Sequence, residues 1–376
     1  MKDVQATRDY QRTSADIETE YIRNWKAQGG KVLGYACVAT PIEVIEAAGI
    51  LPYRLKAMGH DETETADAYL SRFNCRFCRA CLQLGLDGTY DFLDGLIETN
   101  GCDHLRGMFE NWIYAKKQEF FHYLKVPHFV RSDSLDYFAG ELFLMRKAIS
   151  EHFGVDISDA DITEAIRVRD EVNTKLKALY DLRQRPEPGI SGSEFLAIIN
   201  TGSSMMSRDY SKLLDEVLAE MADTRLTGYR ARLILAGAAT DEVELLEEIE
   251  AQGGLVVADT LCFGSRVFWN KRGSSEELLP MLAEGYLSNL FCPRMYAEYD
   301  RRRDHTLQMA EQAGVQGAIV VYNKFCDLHG VDSVSVRMDL EKSGLPVLVL
   351  EKEYGSSADI GRIKTRVQAF LERIGG

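Results

Sequence analysis

Twice in this chain an apolar run that reads as a buried strand ends directly at a Cys-Asp pair: FLDGLIETNG runs into Cys102-Asp103, and GAIVVYNKF runs into Cys326-Asp327. A thiol at the carboxyl end of a strand, just before a helix begins, sits where open α/β sheets place their ligands. Helix N-terminal N–H groups there favour an anionic sulfur. A further cysteine, Cys75, lies upstream in NCRFCRAC. On this reading Cys75, Cys102 and Cys326 converge from three distant points. Three thiolates with an open fourth position suit an iron–sulfur cluster that also binds substrate.

The surrounding pattern extends the strands into sheets. KVLGYACVA, LPYRL, FLDGLIETNG and FHYLKVPHF are short runs rich in strand formers with helical stretches between them. Such βαβα alternation is the sign of a parallel sheet. Thr40-Pro41-Ile42-Glu43 predicts a helix start with a cap, a first-turn Pro and a capping-box Glu. DETETADAYLSRFNCRFCRACLQLGL reads as one long helix, with Cys75, Cys78 and Cys81 spaced i, i+3, i+6 within it. YRARLILAGA, LVVADTL, GAIVVYNKF and PVLVLEKEYG repeat the alternation later, with a short helix expected around Met338 to Ser343 and a closing helix in SSADIGRIKTRVQAFLERI. The expected fold is therefore α/β: two Rossmann- or flavodoxin-like lobes with parallel sheets, and the cluster in the cleft between them. An N-terminal α/β domain is expected at 1–160, a helical connecting segment at 161–225 and a C-terminal α/β domain at 226–376. RQRPEPGISGSE, rich in Pro, Gly and Ser, is the hinge candidate, and Tyr21, Ile22 and Trp25 mark an amphipathic packing helix near the start.

Composition narrows the functional classes. With 376 residues, 45% of them hydrophobic, the chain can fill two cores. No run of about 18 apolar residues occurs, and MKDVQATRDYQRTSADIETEY lacks the apolar centre of a signal peptide. A cytoplasmic protein with no membrane partner is expected. A net charge of −14 argues against nucleic acid, which needs clustered Lys and Arg. Eight scattered cysteines do not form a secreted disulfide framework, and in a reducing compartment such thiols are buried, metal-bound or catalytic.

The C-x2-C-x2-C arrangement of Cys75, Cys78 and Cys81 looks at first like the start of a ferredoxin motif, but Leu82-Gln83-Leu84-Gly85 stands where the Cys-Pro should follow. Cys78 and Cys81 therefore read as core thiols. A structural zinc site would need four nearby Cys or His, which this stretch lacks. Met205-Met206 and Phe120-Phe121 also read as core.

The blocks GYACVATPIEVIEAAGILPYRL, NCRFCRACLQLGLDGTYDFLDGLIETNGCDHLRGMFENW, VVYNKFCDLH and PVLVLEKEYGSSADIGRIKTRVQAF resemble the 2-hydroxyacyl-CoA dehydratase and benzoyl-CoA reductase family, specifically one of its cluster-binding subunits. The resemblance implies a [4Fe–4S] cluster held by Cys75, Cys102 and Cys326, with the fourth iron position left for water or substrate. Cys262 and Cys292 are not expected to hold iron. The resemblance also implies a related second subunit, as a heterodimer or a homodimer, and an ATP-hydrolysing iron–sulfur activator that delivers single low-potential electrons. The substrate class it implies is an acyl-CoA. The β-hydrogen of a 2-hydroxyacyl thioester is not acidic, so water leaves only after one-electron reduction of the thioester, giving a 2-enoyl-CoA. The same apparatus with an aromatic acyl group reduces a ring. In the family the Glu of the Pro-x-Glu block looks like an acid/base, which implies that role for Glu43. Capping alone accounts for the same residue. His104 and Arg106 are candidates for contacts to cluster sulfur or CoA phosphate, and helix-surface positions account for them as well.

Three readings stay open at this point: a dehydratase subunit, a ring-reductase subunit, and a structural or electron-relay subunit whose fourth iron position is closed by a thiol such as Cys78. A double-cubane reductase is a related alternative. It asks for another thiol from the second lobe, and the Ala236-Gly237-Ala238 turn has none.

Overall fold

The computed structural model describes residues 14–269, 272–355 and 358–375; the polar opening stretch, residues 1–13, lies outside them. A leading helix α1 (Glu20–Ala27) is capped by the Thr19 hydroxyl. The first sheet is built from β1 (Val32–Tyr35), β2 (Leu51–Arg54), β3 (Gly95–Thr99) and β4 (Phe120–Leu124), in the order β2-β1-β3-β4. The second is built from β5 (Ala231–Gly237), β6 (Gly254–Asp259), β7 (Gly317–Asn323) and β8 (Val347–Lys352), in the order β6-β5-β7-β8. Every pairing is parallel. β1, β2, β3 and β6 are buried at every position, as expected of parallel strands covered on both faces. The fold is thus the expected α/β fold of two lobes.

The two sheets share one topology. In each, the chain switches direction of winding between the two central strands, β1 and β3 in one lobe and β5 and β7 in the other. A crevice opens at the carboxyl ends of strands at such a switch point. The Cys-Asp pairs follow β3 and β7, which occupy equivalent places, so the repeated sequence signal marks equivalent corners of the two lobes.

Helices cover these sheets. In the first lobe α2 (Ile42–Ala47), α3 (Arg76–Leu86), α4 (Asp103–Lys116) and α5 (Ser132–Phe153) follow β1, β2, β3 and β4. Between the sheets run α6 (Asp159–Gln184), α7 (Gly192–Gly202) and α8 (Ser207–Met221), the first two opened by complete capping boxes at Ser158/Asp161 and Ser191/Glu194. The second half of the chain adds α9 (Val243–Ala251), α10 (Leu278–Ser288), α11 (Tyr299–Gln312), α12 (Asp327–Lys342) and α13 (Ala358–Ile374), of which α10 crosses back to pack against α5 and the core of the first sheet. No helix among the described residues is long and apolar enough to cross a membrane.

Three local expectations are corrected. The long helix expected from Asp61 to Leu86 is broken into a 3-10 turn, Ala66–Ala68, and α3. Gln83 Oε1 accepts from the N–H groups of Thr65 and Ala66 at 2.8 and 3.1 Å, and Arg79 holds Asp67 Oδ1 at 2.6 Å, so the first segment folds back onto α3 instead of continuing it. The short helix expected around Met338 is the end of the much longer α12. The Thr40/Glu43 capping box does not form: the N-cap of α2 is Pro41, without a side-chain bond, and the Thr40 hydroxyl has no partner.

The hinge candidate after α6 is anchored. Gly189 N donates to Leu182 O at 2.9 Å, Leu226 N donates to Pro188 O at 2.7 Å, and the Arg232 guanidinium donates to the carbonyls of Gln184 and Arg185. The lobes themselves share a continuous core that includes Leu96 of β3, Leu235 of β5 and Val321 of β7. Phe77 lies edge-on to Phe263 and Tyr354, and Ala57 N donates to Tyr354 Oη at 3.1 Å.

Candidate functional site

The switch-point crevices of both lobes open onto one cavity of about 360 Å3. Its walls come from the ends of all the central strands: Cys37 after β1, Cys102 after β3, Ala239 after β5 and Cys326 after β7. Seven cysteines line it, namely Cys37, Cys75, Cys78, Cys102, Cys262, Cys292 and Cys326. The remaining one, Cys81, is fully buried in the core beneath.

Cys75, Cys102 and Cys326 hold a distinct position. Each is the N-cap residue of a helix, of α3, α4 and α12 respectively. Three helix N-termini therefore point their free N–H groups toward one cavity and favour thiolates there. At α4 the bond is explicit, with Leu105 N donating to Cys102 Sγ at 3.4 Å. Cys78, one turn into α3, keeps its proton: its interactions with Cys102 and Cys75 raise it well above the ordinary thiol value. The same interactions lower Cys102 and bring Cys75 down to about 5. Burial raises Cys326. Phe325, just before it, has φ +63° in the left-handed region, a conformation costing on the order of 1–3 kcal/mol that turns the chain sharply into α12.

His104 ties these corners together. Its Nδ1 accepts from Cys75 N at 3.1 Å and its Nε2 faces Asp327 Oδ2 at 3.3 Å, so one ring links α3, α4 and α12 across the lobes. With Nδ1 accepting, the proton belongs on Nε2. Arg106 points away, pairing at 3.5 Å with Asp103 and Glu110 on the exposed face of α4.

Glu43 does not line the thiol cavity. Its buried carboxylate accepts from Tyr286 Oη at 2.7 Å, and burial raises its pKa. Tyr286 lines a second, smaller cavity that shares Val38, Arg54 and Phe263 with the first. The structure brings Cys75, Cys102 and Cys326 to one cavity, together with Cys78, which the sequence offered only as a fourth thiol in the electron-relay reading; Cys37, Cys262 and Cys292 were not expected on its wall. For Cys78 a signal existed, since i, i+3 spacing from Cys75 puts both on one helix face.

Among the described residues no three His, Cys, Asp or Glu side chains are gathered closely enough to hold a single metal ion. A four-iron cluster takes its ligands at its corners and asks for a wider ring of soft donors. The thiol-lined cavity has that donor chemistry, with helix N-termini to favour the thiolates.

Comparison with known proteins gives a consistent picture. The family model described as 2-hydroxyglutaryl-CoA dehydratase, D-component, matches residues 37–374. The chain is 24% identical to the (R)-phenyllactyl-CoA dehydratase beta subunit of Clostridium sporogenes, covering 94% of both chains. It is 24% identical to the beta subunit of (R)-2-hydroxyglutaryl-CoA dehydratase from Acidaminococcus fermentans, covering 97% of this chain and 98% of that one. One of the subunits of benzoyl-CoA reductase from Thauera aromatica is also 24% identical, over 83% of each chain.

Proposed function

Because the chain belongs to the 2-hydroxyglutaryl-CoA dehydratase D-component family, whose members include dehydratases and a CoA-thioester reductase, we propose that it is the iron–sulfur subunit of a 2-hydroxyacyl-CoA dehydratase. The observation that carries this reading is the set of three N-cap cysteines, drawn from both lobes, on one cavity at the two switch points. Cys75, Cys102 and Cys326 would hold a [4Fe–4S] cluster, and such a cluster supplies one-electron chemistry at low potential. The chain's own contribution is position and exclusion. His104 fixes the three cysteine corners relative to one another, and the apolar cavity wall keeps bulk water from the thioester. Glu43, whose pKa burial raises, is the proton-transfer group, working from the second, smaller cavity where Tyr286 donates to it.

The assembly is completed by a related second subunit, as the names of the relatives support. Its docking face is the exposed stripe Val331, Val334 and Met338 on α12, the helix that starts at Cys326. An ATP-hydrolysing iron–sulfur activator supplies the electron.

The test is turnover by the anaerobically purified pair with its activator. Conversion of a 2-hydroxyacyl-CoA to the 2-enoyl-CoA is expected. Reduction of benzoyl-CoA instead would make the protein a ring-reductase subunit. One observation favours a second reading: Cys78 lies between Cys75 and Cys102 and is nearly fully buried. If its thiol closes the fourth iron position, the protein relays electrons and binds no substrate. Cys78→Ser separates the two, because an open-site cluster keeps its spectrum and all its iron in that variant.

A further inference from the structure

Three arginines line the thiol cavity, and none has a carboxylate partner among the described residues. Arg54, 3% exposed, donates to the carbonyls of Ala36 and Cys262 at 3.1 and 2.6 Å. Arg294, 2% exposed, donates to the carbonyls of Pro127 and Val126 at 2.8 Å each and of Asn100 at 3.3 Å. Arg266, 4% exposed, has less: its Nε and Nη1 make no hydrogen bond at all. Asp332, the carboxylate that lines a small cavity together with Arg266, is already held by Arg302 at 2.5 Å.

This guanidinium is held in place by its backbone. It sits on the 3-10 turn Ser265–Val267, which Asp259 fixes by accepting from Leu261 N at 3.1 Å and Ser265 N at 2.7 Å. Arg266 N itself donates to Leu261 O at 3.2 Å. A buried, unpaired cation is costly, and a chain that keeps one in a rigid setting keeps it for an anion. The chain as a whole carries a net charge of −14, so cations gathered at this one cavity are not a consequence of bulk composition.

We infer that Arg266, backed by Arg54 and Arg294, is the fixed counter-charge of the cluster held by Cys75, Cys102 and Cys326 and sets its reduction potential; this rests on the proposed iron–sulfur reading. The charge balance gives the direction. An oxidised [4Fe–4S] core of charge +2 with three thiolates carries −1, and taking up one electron makes it −2 with no bond formed or broken. A fixed cation stabilises the reduced form more than the oxidised one and so raises the potential.

The test is a redox titration of the anaerobic, cluster-loaded protein, with dithionite or titanium(III) as the one-electron donor and the reduced-cluster EPR signal as readout. Arg266→Met is expected to make reduction at least tenfold less favourable, about 59 mV lower for a one-electron couple. Arg266→Lys, which keeps the charge, is expected to restore most of the shift. An unmoved potential in an iron-loaded Met variant would overturn the inference, as would a Lys variant shifted as far as Met. If the Met variant takes up no cluster, the melting temperature of the cluster-free protein decides: at or above that of the cluster-free parent, it supports the counter-charge, because an orphan charge has been removed. Below it, Arg266 is merely structural. A parent protein without iron would sink the iron–sulfur reading itself, a result distinct from iron present with an unmoved potential.

Discussion

Cys75, Cys102 and Cys326 each stand at the N-cap position of a helix and line the cavity, so each marks both a helix start and a corner of the proposed site; at Cys102 the sulfur itself accepts from the helix. That double role makes a clean experiment. Serine is a strong N-cap, so Cys102→Ser or Cys326→Ser is expected to release iron while the cluster-free protein melts no lower than its parent. Iron analysis beside a melting curve checks this, and a large loss of stability with iron retained would contradict it. Glu43 makes a separate prediction. Burial raises the pKa of its carboxyl, which accepts from Tyr286, so Glu43→Gln is expected to fold normally and lose about 10²-fold or more in turnover. Tyr286→Phe is expected to lose part of the same rate. Unchanged turnover in both would move proton transfer to another group. At this scale the sequence made legible the residues that end an apolar run, because a strand's end is a local property. Arg266 and Cys292 were not legible, since whether their side chains face the cavity depends on how the second lobe packs against the first.

The elements that carry the site are the turns after the central strands, and β5 shows how tightly they are drawn. Gly237 at its end has φ +150°, and a Cβ there would lie 1.8 Å from Val321 O of the neighbouring β7. Ala238 N donates to that same carbonyl at 2.9 Å. Gly237→Ala is therefore expected to cost about 3 kcal/mol or more, measured by denaturant unfolding, because both strands at the switch point must move. A change below about 1 kcal/mol would show that the turn is looser than its geometry indicates. Strands and their order of appearance were legible in the sequence, since continuous apolar runs between helical patterns leave few alternatives to a parallel sheet. The break before α3 was not. Helical propensity runs on through Ser71–Asn74, and what stops the helix is tertiary: the Gln83 and Arg79 side chains fold the preceding turn back. That break places Cys75 at a helix N-terminus and not in mid-helix.

At the scale of the whole molecule the lobes are held by a buried seam that responds to pH. Tyr354 donates to Asp241 Oδ2 at 2.8 Å, and its own oxygen accepts from Ala57 N across the lobes. Burial raises Asp241 from 3.8 to about 6, so the folded state prefers the protonated acid. This contribution is fully present below pH 4 and is lost as pH rises through about 6, roughly 3 kcal/mol in all. Glu46 and Glu98, each raised to about 7 by burial, extend the same trend toward neutrality. Asp241→Asn is expected to reduce the fall of stability between pH 4 and 6, leaving the part due to Glu46 and Glu98, and an unchanged slope would show that Asp241 is not what the seam titrates. The partner prediction also belongs here. Val331→Lys with Met338→Lys on the exposed face of α12 is expected to yield a monomer in solution where the parent pairs with its related chain. The central claim, a [4Fe–4S] cluster on three N-cap cysteines, is tested most directly by iron and acid-labile sulfide analysis of the anaerobically purified protein, with Mössbauer spectra to identify the cluster. The account predicts a brown protein with about four irons per chain, lost on replacing Cys75, Cys102 or Cys326. A colourless protein that binds stoichiometric zinc after anaerobic reconstitution, or one that keeps its iron without Cys102 and Cys326, would contradict it.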